Sequence, residues 1–386
     1  MLIRSRALMT AVTVLALAAC SGSGQPADGP RTGKTLAWTA VDLPAGEEPV
    51  VLTPIGTDLL VGLRRPSARV KPHLLRLTAA GASTEIPVHP NPSSPYAYEA
   101  RWQSLVTDGT RILAIGGAPG GAHSNTRWTT WTGTTAGLTE KPQSFNTFGG
   151  WGAGQLVDAV MSPAGTALAG SWGSANAGLD GAVWLPSGDR WVRQSSAGTA
   201  LESTKELQVN PRAGTTAGNA IVVAGSQLRL EPGVVEQHAA VWRSVTLNQG
   251  WTRLELPEAG KRSEGVSVRC TPAVCLVAGY ADDKLALWRV DGTGAARLQH
   301  VPDVPVGDRD VLPAPFEVNG RTVQVAAADG RVEVLSAQDD RWTEQHSDGP
   351  TGVITAAALV GTTLYVLAGP ADSPAHLWKT DLNAVG

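Results

Sequence analysis

The stretch VSVRCTPAVCLVAGYADDKLALWRVDGTGAARLQHVP, residues 266–302, decides the fold. It contains four short apolar runs: VSVRC, CLVAG, LALWR and ARLQHVP. Each is bounded by Gly, Pro, Asp or Thr, and none repeats at helical spacing, so each reads as a strand. The first two are joined by a tight Thr-Pro-Ala-Val turn, and the second ends in small residues at Ala278-Gly279.

The same unit recurs along the chain. Its third run appears as LLRL (74–77), TTWT (129–132), AVWL (182–185), AVWR (240–243), LALWR (285–289), VEVLS (332–336) and HLWK (376–379). The aligned residues Leu75, Trp131, Trp184, Trp242, Trp288, Leu335 and Trp378 are spaced 56, 53, 58, 46, 47 and 43 apart. A repeat of about 40–50 residues with four strands per unit is the signature of propeller blades. The expected fold is therefore all-β, a seven-bladed β-propeller of four-stranded blades. The last unit stops after HLWKTDLNAVG and lacks a fourth strand. LAWTAVDLPAG (36–46) matches the fourth-strand segment GWTRLELPEAG (250–260) in its Trp-Thr, Leu-Pro and Ala-Gly. The N-terminal strand is thus expected to close the last blade and remove the open sheet edge. Trp38, Trp184, Trp191, Trp242, Trp251, Trp288, Trp342 and Trp378 fall on third and fourth strands, where large rings fill the gaps between blades.

Three segments divide the chain: residues 1–19, 20–35 and 36–386. The first has a basic start, Arg4 and Arg6, and a short apolar run from Ala7 to Ala16. That run is too short to span a bilayer, which takes about 20 residues, and reads as a signal peptide. It ends in Leu17-Ala18-Ala19-Cys20, which resembles the bacterial lipobox. The resemblance implies lipidation of Cys20, and hence a membrane anchor on the extracytoplasmic side. Residues 21–35, rich in Gly, Ser and Pro, read as a flexible tether. Loss of residues 1–19 moves the formal charge from -3 to -5. A mildly acidic chain without a Lys/Arg cluster argues against a nucleic-acid partner. Ala- and Gly-rich usage with Arg favoured over Lys points to a high-GC, actinobacterial source.

Of three cysteines, lipidation uses one. Cys270 and Cys275 flank a tight turn and are expected to form a cross-strand disulfide in an exported protein. A zinc half-site is the rival, but the sequence has neither a second Cys pair nor the His pair to complete it.

Loop lengths are asymmetric. The turns between first and second strands are short, whereas the connections between blades and several second-to-third-strand loops are long. These two long sets share one face, where binding residues gather. HPNPSSPYAYEAR (89–101) offers Tyr96, Tyr98, Glu99 and Arg101, and SFNTFGGWGAG (144–154) offers Phe145, Phe148 and Trp151. The second-to-third-strand loops add His123, Trp172 and Tyr280. These residues form the expected ligand-binding face, because exposed aromatics mark protein interfaces and sugar-stacking platforms; packing of the rings against each other is the alternative. The Gly-rich loops lack the Lys-Ser/Thr of a phosphate loop, and the His residues lack zinc spacing. No cofactor, metal or catalytic residue is assigned, and a monomer is expected.

Ser187-Gly188-Asp189-Arg190-Trp191 and Ser336 through Asp339-Asp340-Arg341 to Trp342 look like eroded Asp boxes, the repeat turn of bacterial neuraminidases; Asn248-Gln249-Gly250-Trp251 keeps only its Gly and Trp. The resemblance implies a sialidase-like propeller. Active members of that family use an arginine triad, a Tyr–Glu nucleophile pair and an Asp acid, and none of these can be carried onto this chain. The expected function is a non-enzymatic interaction module for a protein or a cell-envelope glycan. The alternative is a sialidase-like glycoside hydrolase with a divergent site, in which Tyr98, Glu99 and Arg101 could act together.

Overall fold

The computed structural model describes residues 31–32, 35–120, 125–307, 309–345 and 349–384. The signal segment, Cys20 and His123 lie outside them. Seven antiparallel sheets, or blades, follow one another around an axis. Blade one runs through Glu48–Ile55, Asp58–Arg64, Pro72–Leu77 and Ser83–Ile86. Blade two runs through Arg101–Thr107, Arg111–Ala118, Arg127–Thr134 and Gly137–Glu140. Blades three, four, five and six repeat the pattern from Ala153, Leu207, Ser263 and Phe316. Blade seven takes Val353–Val360, Thr363–Gly369 and His376–Asp381 from the C-terminus. Its outer strand is Thr39–Val41, paired antiparallel through Ala40 opposite Trp378. The ring is closed as the sequence requires. All seven aligned positions, Leu75 to Trp378, fall on third strands.

One part of the expected tether is ordered on the ring. Arg31–Thr32 pairs in parallel with the outer strand of blade six, opposite Thr343 and Glu344, and Leu36 is buried. The outer edge of a blade carries unmet backbone donors and acceptors, and the incoming chain satisfies some of them.

The core is distributed. Buried side chains form seven clusters among the described residues, one at each seam between neighbouring blades. Trp131, Trp184, Trp242 and Trp288 are the largest fully buried side chains. Several indoles also donate a hydrogen bond across a seam. Trp102 Nε1 donates to His73 O at 2.8 Å, Trp288 Nε1 to Pro257 O at 2.9 Å, and Trp342 Nε1 to Gln299 O at 2.9 Å. Trp38 and Trp378 are only half-buried but pack on the cluster between blades six and seven.

The innermost strands carry a shared irregularity. A register shift occurs between Pro49 and Val51, Trp102 and Ser104, Pro211 and Ala213, Gly265 and Ser267, and Ile354 and Ala356; blade three has two, the second between Leu156 and Asp158. Such bulges bend and twist a strand, which lets it curve past its neighbours near the axis. Across from the bulge, five second strands place glycine: Gly62, Gly116, Gly170, Gly225 and Gly279. A Cβ at Gly170, Gly225 or Gly279 would run into the carbonyl oxygen of Gln155, Asn210 or Glu264. Backbone cannot move aside as a flexible side chain can, so these positions require glycine.

Cys270 and Cys275 are bridged across the turn of blade five. Gly279→Ala is expected to lower unfolding stability by about 2–3 kcal/mol through overpacking. Gly292→Ala, where an added Cβ meets nothing, should stay within about 0.5 kcal/mol. Urea midpoints of the two variants check this, and equal midpoints would refute the bulge argument.

Candidate functional site

The long connections lie on one face; those of 87–100 and 141–152 flank blade two, and others enter blades four and six. The connection entering blade two holds a short helix, Pro95–Glu99. Its start is set by proline, whose missing N–H is not needed in the first turn. Ala97 and Ala100 are buried at the seam with blade one, which leaves Tyr96 outward. The connection entering blade three holds one helical turn, Phe145–Phe148.

The expected residues divide into three groups. Tyr96 and Phe145 come together on either side of Arg127, the first residue of the third strand of blade two. Arg127 Cζ lies 5.9 Å from the Tyr96 ring centre and 4.8 Å from that of Phe145. Trp151 is fully exposed. Its neighbour Gly152 is held against the Trp172 indole, where a Cβ would overlap the ring. The glycines of 149–154 therefore serve close approach, and they seat the loop that displays Trp151.

A second group holds loops in place. Glu99 pairs with Lys71 at 2.5 Å, and Arg69 lies 5.2 Å over the Tyr98 ring. Both partners belong to the second-to-third-strand loop of blade one, so Tyr98 and Glu99 clasp that loop. Arg101 is exposed at the head of the first strand of blade two. Trp172 is half-buried, with its ring centre 6.1 Å from Trp184 and Arg193 stacked at 5.1 Å.

The third group corrects the expectation. Phe148 is 6 % exposed and packs edge-on against Trp184, with ring centres 5.9 Å apart. A single helical turn has an inner side, and Phe148 occupies it. Tyr280 is 3 % exposed, and its hydroxyl accepts a hydrogen bond from Gln237 Nε2 at 3.3 Å. It sits at the end of a strand in the seam core rather than on a free loop.

Two features were not anticipated. The first is a cavity of about 260 Å³ over blade two, between the connections that enter and leave it, lined by Ser93, Tyr96, Arg127, Glu140, Gln143 and Phe145 among others. Glu140 is buried there and accepts hydrogen bonds from Asn91 N (2.8 Å) and Ser94 Oγ (2.7 Å). Burial pushes its carboxyl pKa up, against the pull of those two bonds. The second is the central channel, about 570 Å³, where inner strands contribute Gln103, Asp158 and Arg212 and the segment 309–313 also lines the wall. Asp158 accepts from Gly214 N at 2.7 Å, yet desolvation raises its carboxyl to about 6. The signal for the channel was a charged residue, Asp158, inside an otherwise apolar inner strand.

No protein-family model and no curated protein matches this chain. Solved structures do, at low identity. The β-propeller domain of the Trilobed protease from Pyrococcus furiosus, described as having an open velcro topology, matches with a TM-score of 0.55 and 11 % identity over 87 % of this chain and 95 % of that one. A puromycin-hydrolysing peptidase from Mycobacterium tuberculosis gives 0.57 and 14 % over 91 % of this chain, but this chain spans only 55 % of it. YCF48 bound to D1 peptide gives 0.51 and 12 %, over 93 % and 99 %. These similarities identify the class: a seven-bladed β-propeller.

Asp158 supplies a pH test. Its carboxyl holds a proton in the folded state that the unfolded chain has already lost, so the penalty is small below about pH 4, grows between about 4 and about 6, and is fully present above that. Asp158→Asn is therefore expected to gain stability relative to the parent by up to about 3 kcal/mol between pH 4 and pH 8. Urea titrations at both pH values measure it, and parallel profiles would show the carboxyl to be unperturbed.

Proposed function

We propose that this chain is a lipid-anchored, extracytoplasmic binding module that presents the loop face of blades two and three to a protein or a cell-envelope glycan. The observation that carries this reading is Trp151: a fully exposed indole on a loop whose base is fixed by Phe148, Trp172 and Trp184. Burying so large a ring against a partner removes much apolar surface from water, with little further ordering of the loop. Phe145, 57 % exposed, extends the same patch. One structural neighbour of similar length is described with a bound peptide, which is consistent with a non-catalytic role for such a ring. The anchor rests on the sequence pattern around Cys20, and two acyl chains hold a protein stably at a membrane where one does not.

The second reading, a sialidase-like glycoside hydrolase, draws on the eroded Asp-box turns. These do join third to fourth strands, with Gly188, Asp339 and Asp340 at positive φ. Against it, Glu99 is engaged by Lys71 and Tyr98 by Arg69. Turnover of an aryl glycoside, lost in Glu99→Gln, would favour that reading.

A photo-crosslinking side chain at Asn146, exposed on the proposed face, should give a discrete adduct in cells. The same group at Gly292, in an open turn on the opposite face, should not. Equal adducts from both, or none from either together with no glycan retention, would overturn the proposal. Cys20→Ser should abolish incorporation of an alkyne fatty acid and release the protein from the membrane fraction; unchanged labelling would remove the anchor from the reading.

A further inference from the structure

The cavity over blade two holds a cation that the chain leaves unanswered. Arg127 is half-buried, and its Nε is inaccessible to solvent with no hydrogen-bond partner among the described residues. It takes part in no ion pair there either. Tyr96 and Phe145 face its guanidinium and lower its access to water, but a ring face offers no acceptor lone pair. The carboxylate in the same cavity, Glu140, is spent on Asn91 and Ser94. A guanidinium is charged at every accessible pH and seeks planar, two-pronged acceptors. A guanidinium that makes no hydrogen bond within the chain is unfavourable, and a ligand acceptor that reaches its outer nitrogens relieves it.

We infer that this cavity is a binding site for a carboxylate, held in the plane of the Arg127 guanidinium between Tyr96 and Phe145. The assignment rests on the reading of this face as a binding surface, and names what it recognises. Three observations narrow the ligand. Among the described residues Arg127 is the only cationic side chain lining the cavity, which suits a singly charged group better than a phosphate. Apart from Glu140, whose oxygens are held by Asn91 and Ser94, the rest of the lining is mostly hydroxyl, amide and aromatic, from Ser93, Ser94, Thr126, Gln143 and Phe145, which suits a polar body with one apolar side. The volume of about 260 Å³ accommodates one amino-acid or monosaccharide unit, not an extended chain. Such a carboxylate comes from a peptide C-terminus or from an acidic sugar.

The test uses the full-length chain purified in detergent and two matched pairs of probes. One pair is acetyl-trialanine with a free carboxylate and its C-terminal amide. The other is N-acetylmuramic acid and N-acetylglucosamine. One acid is expected to bind at least about tenfold more tightly than its neutral partner, as a charge-assisted pair requires. Arg127→Gln should abolish that preference, and Phe145→Ala, which opens the guanidinium to water, should reduce it. Which acid binds identifies the source. Binding of neither acid, equal binding of acid and neutral partner, or an undiminished preference in both variants overturns the assignment. Should Arg127→Gln fail to fold, Phe145→Ala alone decides, because its ring is largely exposed. Loss of acid binding with the Asn146 crosslink retained removes only this inference; loss of both removes the binding face itself.

Discussion

Every sheet in this protein has two apolar faces, and each needs a neighbour. That requirement governs the architecture. A blade buries one face against the blade before it and the other against the blade after it, so there is no single core but seven seams. An open row of blades would leave two faces in water; a closed ring leaves none. Closure then falls to the segment least tied by local sequence, Thr39–Val41, which completes blade seven. Thr380 Oγ1 also donates to Ala37 O at 2.9 Å across that junction, spanning almost the whole chain. The ring thus holds its two ends together, at the cost of a contact with high loop-closure entropy.

The seam requirement also explains where regularity fails. Near the axis the strands crowd, and six blades answer with a bulge in the inner strand and a small residue opposite it. Blade six has no such bulge, and its inner strand is only Phe316–Val318. The preceding connection fills the vacancy. Val304, Val306 and Leu312 are buried at the seam with blade five, and 309–313 line the channel. Arg269 of blade five stacks 4.4 Å over Phe316, and desolvation lowers its pKa to about 10.

The fold was legible because seam packing writes itself into the sequence. Trp131, Trp184, Trp242 and Trp288 recur where a seam needs volume, and Gly62 through Gly279 recur where an inner strand bulges. The loop face was less legible because exposure is a tertiary property. Phe145 and Phe148 are three residues apart in one segment, and only the position of Trp184 decides that one is displayed and the other buried. Tyr280 looked like a loop residue, but the hairpin of blade five turns so tightly at Asp282-Asp283 that Tyr280 stays within the strand. Arg127 left no mark at all, since its isolation depends on Glu140 being taken by Asn91 and Ser94, residues about 50 positions upstream.

The same physics separates scaffold from site. Along the seams many polar groups are matched, as where the indole N–H groups of Trp102, Trp288 and Trp342 find carbonyls, although Trp242 Nε1 and Arg269 Nε stay buried without a partner among the described residues. Over blades two and three the matching is withheld, with an indole left in water and a guanidinium left without an acceptor. A rigid ring can carry both defects because neither lies in a seam, so their energetic penalty does not propagate into the packing. Blades four, five and six have second-to-third-strand turns of only two residues, so their long loops are the connections 194–206 and 298–315 alone. Trp151 and Arg127 both lie where a long connection meets a long second-to-third-strand loop, and the ring serves to hold that sector still.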